Sequence, residues 1–286
     1  MKHLIVTFFS SLLISQSFAQ IPTEKTLLWQ ISNSTNTKTS YLYGTIHLIC
    51  PDKIAIDTVI KEAFNKTTQL FLEIDLDDPQ MMAKVMKGMM MPDSILLEKM
   101  VGKTNYDSMN TIFKSKAGIP LSVMGKAKPM LLMSAIFPAL LQCKPDGFEK
   151  HFQEMAKQNH IPLKGLETIE YQLRVFDSIP YSVQADMLKN LLFNLDSTKK
   201  GFDEMLTVYL SKDVNAMQQL TVKDPDFGKY DALMLKNRNN NWIPIIAREM
   251  AYQPTFFAVG AAHLGGINGV INLLRQKGFK VEPVMY

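Results

Sequence analysis

Two short stretches of this 286-residue chain place a histidine where it could do chemistry. In "YLYGTIHLIC" (41–50) an apolar run exits through Gly44, and His47 follows three residues on. "FFAVGAAHLGG" (256–266) repeats the arrangement with Gly260 and His263. A glycine at a strand exit lets the backbone turn sharply and leaves room for a ligand. The carboxyl ends of strands are also where open α/β sheets bind ligands. Each histidine alone reads equally as a packed polar residue. Brought together on two rigid turns, they would make a metal site or a general-base pair. Glu73 in "LFLEIDL" (70–76) is a third candidate, because a carboxylate in so apolar a strand is costly to bury unpaired. It must face a metal, an arginine or solvent, and a strand-end salt bridge is its plainer reading. Asp75, Asp77 and Asp78 read as capping and turn residues, while Glu167 ends another short run, "LKGLET". Arg238, in "NRNNNW", is a candidate to neutralise a carboxylate or a developing oxyanion.

The elements that must position these residues follow from the apolar pattern. "TLLWQIS" and "TSYLYGTIHL" are apolar, β-branched and aromatic runs separated by "NSTNTK", which has hairpin-turn chemistry. A helical pattern from Pro51 to Thr67 precedes "QLFLEIDL", a buried strand. Asp78 before Pro79 predicts a helix start. Helical periodicity then runs to about residue 160, broken at "MPDS", "AGIP" and "KPDG". "IPLKGLE" is a short strand, followed by further helix to about residue 250. "PTFFAVG" is a strand, "NGVINLLRQKG" a helix closed by Gly278, and "FKVEPV" a last strand. The fold class is therefore α/β: a central mixed β-sheet built from N- and C-terminal strands, with a large helical insertion. No Gly/Ser-rich linker interrupts the chain, so residues 20–286 read as a single domain.

Composition narrows the function classes. The formal charge of +4 is spread over interspersed lysines and acids, with no basic stripe, which argues against a nucleic-acid partner. HExxH, GxSxG, a Walker loop and the Rossmann glycine fingerprint are all missing from the sequence. Lys2, the apolar "LIVTFFSSLLIS" and the small residues Ser17 and Ala19 make residues 1–19 a signal peptide, with an uncleaved anchor as the alternative. No later segment supplies the roughly 20 apolar residues of a membrane span. The mature chain is expected to be exported, periplasmic or secreted. In that compartment Cys50 and Cys143 read as a disulfide, or as two buried thiols. The methionines of "QMMAKVMKGMMM" (80–91) cover several faces of a helix, which favours an adaptable packing surface or a lid over a cleft over copper ligation.

Taken together, "YLYGTIHL", "LFLEID", "GKAKP", "GFEKHFQEMA", "LKGLET", "NRNNNW" and the segment from Phe256 to Val284 resemble the TraB/PrgY/GumN family, which includes the Tiki-type metalloproteases. The resemblance spans about residues 27 to 284. It implies a divalent-metal-dependent peptidase (manganese or cobalt in Tiki-type members), with His47, His263 and Glu73 at the metal and Arg238 as a further site residue. Two positions depart from the usual pattern. Met130 follows Pro129 where many members have tryptophan, and Glu149 stands where many have aspartate. The expectation is an exported hydrolase holding Mn, Co or Zn through His47, His263 and Glu73, acting on a peptide or small-molecule substrate. Glu73 could instead be the general base and Arg238 the oxyanion partner. The alternatives are a peptide-sequestering protein with the same cleft, and a hydrolase of a non-peptide ester, amide or lactone.

Overall fold

The computed structural model describes residues 21–33 and 36–286. The expected leader, residues 1–19, lies outside the described residues. Within them, no helix is long and apolar enough to cross a membrane.

Six strands form one mixed sheet: β1 (Leu28–Asn33), β2 (Asn36–Thr45), β3 (Gln69–Ile74), β4 (Leu163–Glu167), β5 (Thr255–Gly260) and β6 (Lys280–Val284). Their spatial order is β4-β3-β5-β2-β1-β6. The early strands β1, β2 and β3 thus share a sheet with the late β5 and β6, as the patterning predicts. β1 pairs antiparallel with β2 and with β6, whereas β2, β5, β3 and β4 run parallel. The β1–β2 hairpin is tighter than the turn composition suggests: pairing continues to Asn33 opposite Asn36.

The parallel strands carry continuous apolar sequence because both of their faces are covered. Every residue of β5 is buried, as are the first five of β3. Alternation along β5 sends Phe256 and Phe257 to opposite faces. Phe256 meets Phe64 of the helix Thr58–Asn65 and Phe152 of the helix Phe148–Gln158, with ring centroids 5.2 and 5.0 Å apart. Phe257 meets Phe71 of β3 at 5.6 Å. A second apolar cluster, including Met109, Phe113, Leu132, Ile136 and Leu188, holds the inserted helices together away from the sheet.

One expectation changes in detail. The helix predicted to start at Asp78-Pro79 runs from Met81 to Gly88 instead. The Asp78 side chain accepts from the Gln80 amide, closing an Asx-type turn that postpones the first helical residue. The Cys50–Cys143 disulfide is formed, with Cα atoms 5.9 Å apart. Beside it, Ile49 and Asp146 exchange a pair of backbone hydrogen bonds, so the segment after His47 is tied to the loop before Phe148.

Candidate functional site

All four parallel strands present their carboxyl ends on one edge of the sheet, and the candidate residues collect there. Thr45 at the end of β2 lies in register with Gly260 at the end of β5. The two turns carrying His47 and His263 therefore leave the sheet side by side. Glu73, next to last in β3, sits across β5 from them. Its Oε1 accepts from the Gly260 amide at 2.8 Å and lies 3.8 Å from both His47 Nε2 and His263 Nε2. Gly260 makes this convergence possible: a Cβ there would stand 3.3 Å from Glu73 Oε1 and 3.5 Å from His47 Nε2.

Each imidazole is oriented through its other nitrogen. His263 Nδ1 meets Asn239 Oδ1 at 2.6 Å, while the Asn239 amide nitrogen donates to the backbone carbonyls of His263 and Asn268. The asparagine oxygen is therefore the acceptor, the imidazole carries its proton on Nδ1, and Nε2 presents a lone pair. Arg238 Nη1 donates to that lone pair at 3.1 Å. Burial, reinforced by the Arg238 charge, brings the His263 pKa down to about 3 and holds the ring neutral. His47 has the opposite setting. Its Nδ1 contacts Glu149 Oε1 at 2.8 Å, and the Glu149 charge raises its pKa to about 9. One side of the His47 ring stays open to solvent. Thr45 donates to the same Glu149 oxygen. Gly147 lets this glutamate approach, since a Cβ there would fall 2.8 Å from the His47 carbonyl oxygen.

Arg238 is buried and forked between two carboxylates. Nη2 reaches Glu73 Oε2 at 2.5 Å and Glu167 Oε1 at 2.7 Å, and Nε contacts both Glu167 oxygens. Burial works against ionising Glu73, but Arg238, with the His47 charge and the Gly260 amide, overcomes it and holds the carboxyl well below its usual range. At Glu167 burial wins, and its pKa is raised despite Arg238. Trp242 supports the group from its side: its indole nitrogen donates to Glu167, and its ring packs on His263 with centroids 4.5 Å apart. Arg238 and Asn239 open the helix Asn237–Tyr252, directly after the π-helical turn Ala232–Lys236, an irregularity often found at functional sites.

The structure thus brings together His47, His263, Glu73 and Arg238, with Glu167 and Glu149 beside them. Asn239, Gln172 (Nε2 to Glu73 Oε2, 3.2 Å) and Trp242 escape sequence reasoning. Asn239 had one signal, its place next to Arg238 in an asparagine-rich helix start. Gln172 had none. Among the described residues no group of three or more His, Cys, Asp or Glu side chains closes into a metal cage. The donor chemistry nevertheless fits an ion. Two imidazole Nε2 atoms and one carboxylate oxygen border the same space beside Gly260. The 3.8 Å separations lie within the roughly 4 Å spanned by two atoms each about 2 Å from a common ion. Both histidines also have the second hydrogen bond that metal-ligating imidazoles use to fix their orientation.

A parallel sheet whose carboxyl edge gathers two strand-exit histidines around one glutamate is the arrangement on which the comparisons bear. The sequence profile of the TraB/PrgY/gumN family matches residues 27–283, and the chain belongs to that family. Among curated proteins it is similar to metalloprotease TIKI1 of Danio rerio, 21% identical over 89% of this chain and 62% of that protein. Metalloprotease TIKI2 of the same fish is 20% identical over 89% and 60%. Metalloprotease TIKI2 of Xenopus tropicalis is 21% identical over 85% and 57%. The chain therefore spans about 60% of the length of these relatives.

Proposed function

We propose that the protein is an exported, divalent-metal-dependent hydrolase, with peptides as its substrate class. The observation that carries the proposal is the convergence of His47 Nε2 and His263 Nε2 on Glu73 Oε1 beside the side-chain-free Gly260. The likeness to proteins named as metalloproteases supports the same reading. His47, His263 and Glu73 would hold the ion. When bound, such an ion lowers the pKa of a water and polarises a scissile carbonyl.

The protein's own groups supply the rest. Asn239 keeps the proton on His263 Nδ1 and the lone pair on Nε2, which an ion would take in place of the Arg238 Nη1 contact, and Glu149 turns His47 so that its Nε2 faces Glu73. Arg238 keeps Glu73 ionised, which suits a ligand and makes it a poor proton acceptor. We therefore assign Glu73 to the metal rather than to general-base work. Arg238 commits Nε and Nη2 to two carboxylates and Nη1 to His263 and the Met234 carbonyl, so we assign it to anchoring Glu73 rather than to an oxyanion.

The test combines calorimetric titration of Mn, Co and Zn with a peptide-library turnover screen. Wild-type protein should bind at least one of these ions and lose turnover in chelator. His47→Ala, His263→Ala and Glu73→Gln should each weaken binding at least tenfold. A His47→Ala, His263→Ala double variant that still cleaves at the wild-type rate would overturn the proposal. Peptide binding with no turnover under any metal would favour a sequestering protein instead.

A further inference from the structure

The methionine-rich segment has no part in the site described so far, and it borders a large cavity. The helix Met81–Gly88 buries none of its residues. Beneath it a groove of about 1060 Å³ opens against the helix Ile169–Asp177. That volume matches the upper end of small-ligand sites, about 1,000 Å³. Gly88 lets the two helices approach, since a Cβ there would lie 2.5 Å from Leu173 Cδ1.

The groove has a mixed character. Met90, Met91, Pro92 and Leu173 give it an apolar lining. Met90, 45% exposed, is an adaptable apolar side chain at its rim, whereas the exposed Met82 and Met86 of the helix Met81–Gly88 do not line it. Each of its three carboxylates has a lysine nearby: Lys126 lies 2.6 Å from Asp93, Lys128 lies 2.5 Å from Asp177, and Lys84, 3.5 Å from Glu170, is shared with Asp78 at 2.6 Å. Lys87 and Arg174 also line it, and neither has a carboxylate within ion-pair distance. The rim therefore carries surplus positive charge over an apolar floor.

The groove lies beside a smaller cavity that borders the candidate site. This cavity, at the carboxyl ends of β3 and β4, shares Lys84 with the groove and includes Glu167, the partner of Arg238. The sequence of spaces follows the sheet edge outward, from the ends of β2 and β5 past β3 and β4 to the methionine helix.

We propose that this groove is a second binding site, for a polypeptide stretch carrying large apolar side chains together with carboxylates. Leucine- or methionine-sized groups fill the floor, and the carboxylates meet Lys87 and Arg174. That the bound stretch belongs to the substrate rests on the hydrolase reading; the binding itself does not.

The experiment is fluorescence anisotropy with two labelled dodecapeptides, one alternating leucine and glutamate and the other leucine and lysine, on chelator-treated protein so that turnover is silenced. The acidic peptide should bind at least tenfold more tightly, with affinity falling as salt rises. Lys87→Glu with Arg174→Glu should reverse the preference, and Ala83→Trp, at the mouth of the groove, should weaken both peptides about tenfold. All three side chains are exposed, so the variants should keep the wild-type melting temperature. Equal binding of the two peptides, absence of binding, or a preference that survives both variants would overturn the proposal. Failure of metal-dependent turnover would leave these results unchanged, so the two readings fail separately.

Discussion

Glu149 and Arg238 give neighbouring histidines opposite protonation, and this makes a prediction for the metal-free protein. His47, whose pKa is raised to about 9, stabilises the fold fully below its unfolded value near 6.5, and that contribution is lost as pH rises through 9. His263, lowered to about 3, behaves in reverse: its contribution is present above 6.5 and is lost as pH falls from 6.5 toward 3. Glu73 and Glu149, both lowered, add to the acid loss only below about 4.5. Melting temperature in chelator should therefore peak near pH 6.5 and fall on both sides, as His47 loses its contribution between about 6.5 and 9 and His263 loses its own below 6.5. His47→Gln should flatten the alkaline limb, and His263→Gln the stretch between about pH 6.5 and 4.5. Arg238→Met should cost about 3–5 kcal/mol in denaturant unfolding, because two buried carboxylates lose their counter-charge. Little of this detail is visible in the chain. His47, His263, Glu73 and Arg238 stand out by type and placement, yet whether Arg238 serves an anchor or an oxyanion depends on its distance to Glu167, set by a fold that brings residues far apart in sequence together. Gln172 and Asn239 are common polar residues on helices until tertiary packing gives them a histidine or a carboxylate to hold.

At the scale of elements, the strand exit is the sensitive point. Gly260 has an ordinary extended backbone (φ −51°, ψ 134°), so alanine fits there without backbone strain. Its methyl would instead occupy the space bordered by Glu73 and His47. Gly260→Ala should shift the melting temperature by only a few degrees and weaken metal binding at least tenfold, read by calorimetry. The strand–Gly–x–x–His pattern was legible because an unbroken apolar run ends at a glycine in both places. The start of the helix Met81–Gly88 was not, since Asp78 and Pro79 carry the same signals for a turn as for a helix N-terminus. The disulfide is an element-scale device too. It closes a loop of 93 residues, and its loss should cost about 2–4 kcal/mol. Cys50→Ser with Cys143→Ser should also speed amide exchange at Ile49 and Asp146, whose backbone pairing lies beside the bridge.

For the whole molecule, the two-ended sheet was readable because apolar β-runs bracket a helical middle, and those runs have no other partners long enough to cover them. The separate core of the inserted helices was not readable, because a helical period shows which face is apolar but not which neighbour covers it. The strand order has a consequence in time. β5 is inserted between β3 and β2, so the two earlier strands are not joined in one sheet until residues 255–260 arrive. Glu73 waits across 187 residues for the Gly260 amide. A ribosome must therefore have made nearly the whole polypeptide before any part of the histidine–glutamate centre can exist. Chains still in synthesis, or cut short before β5, are chemically silent, and whatever this centre does begins only with the finished molecule.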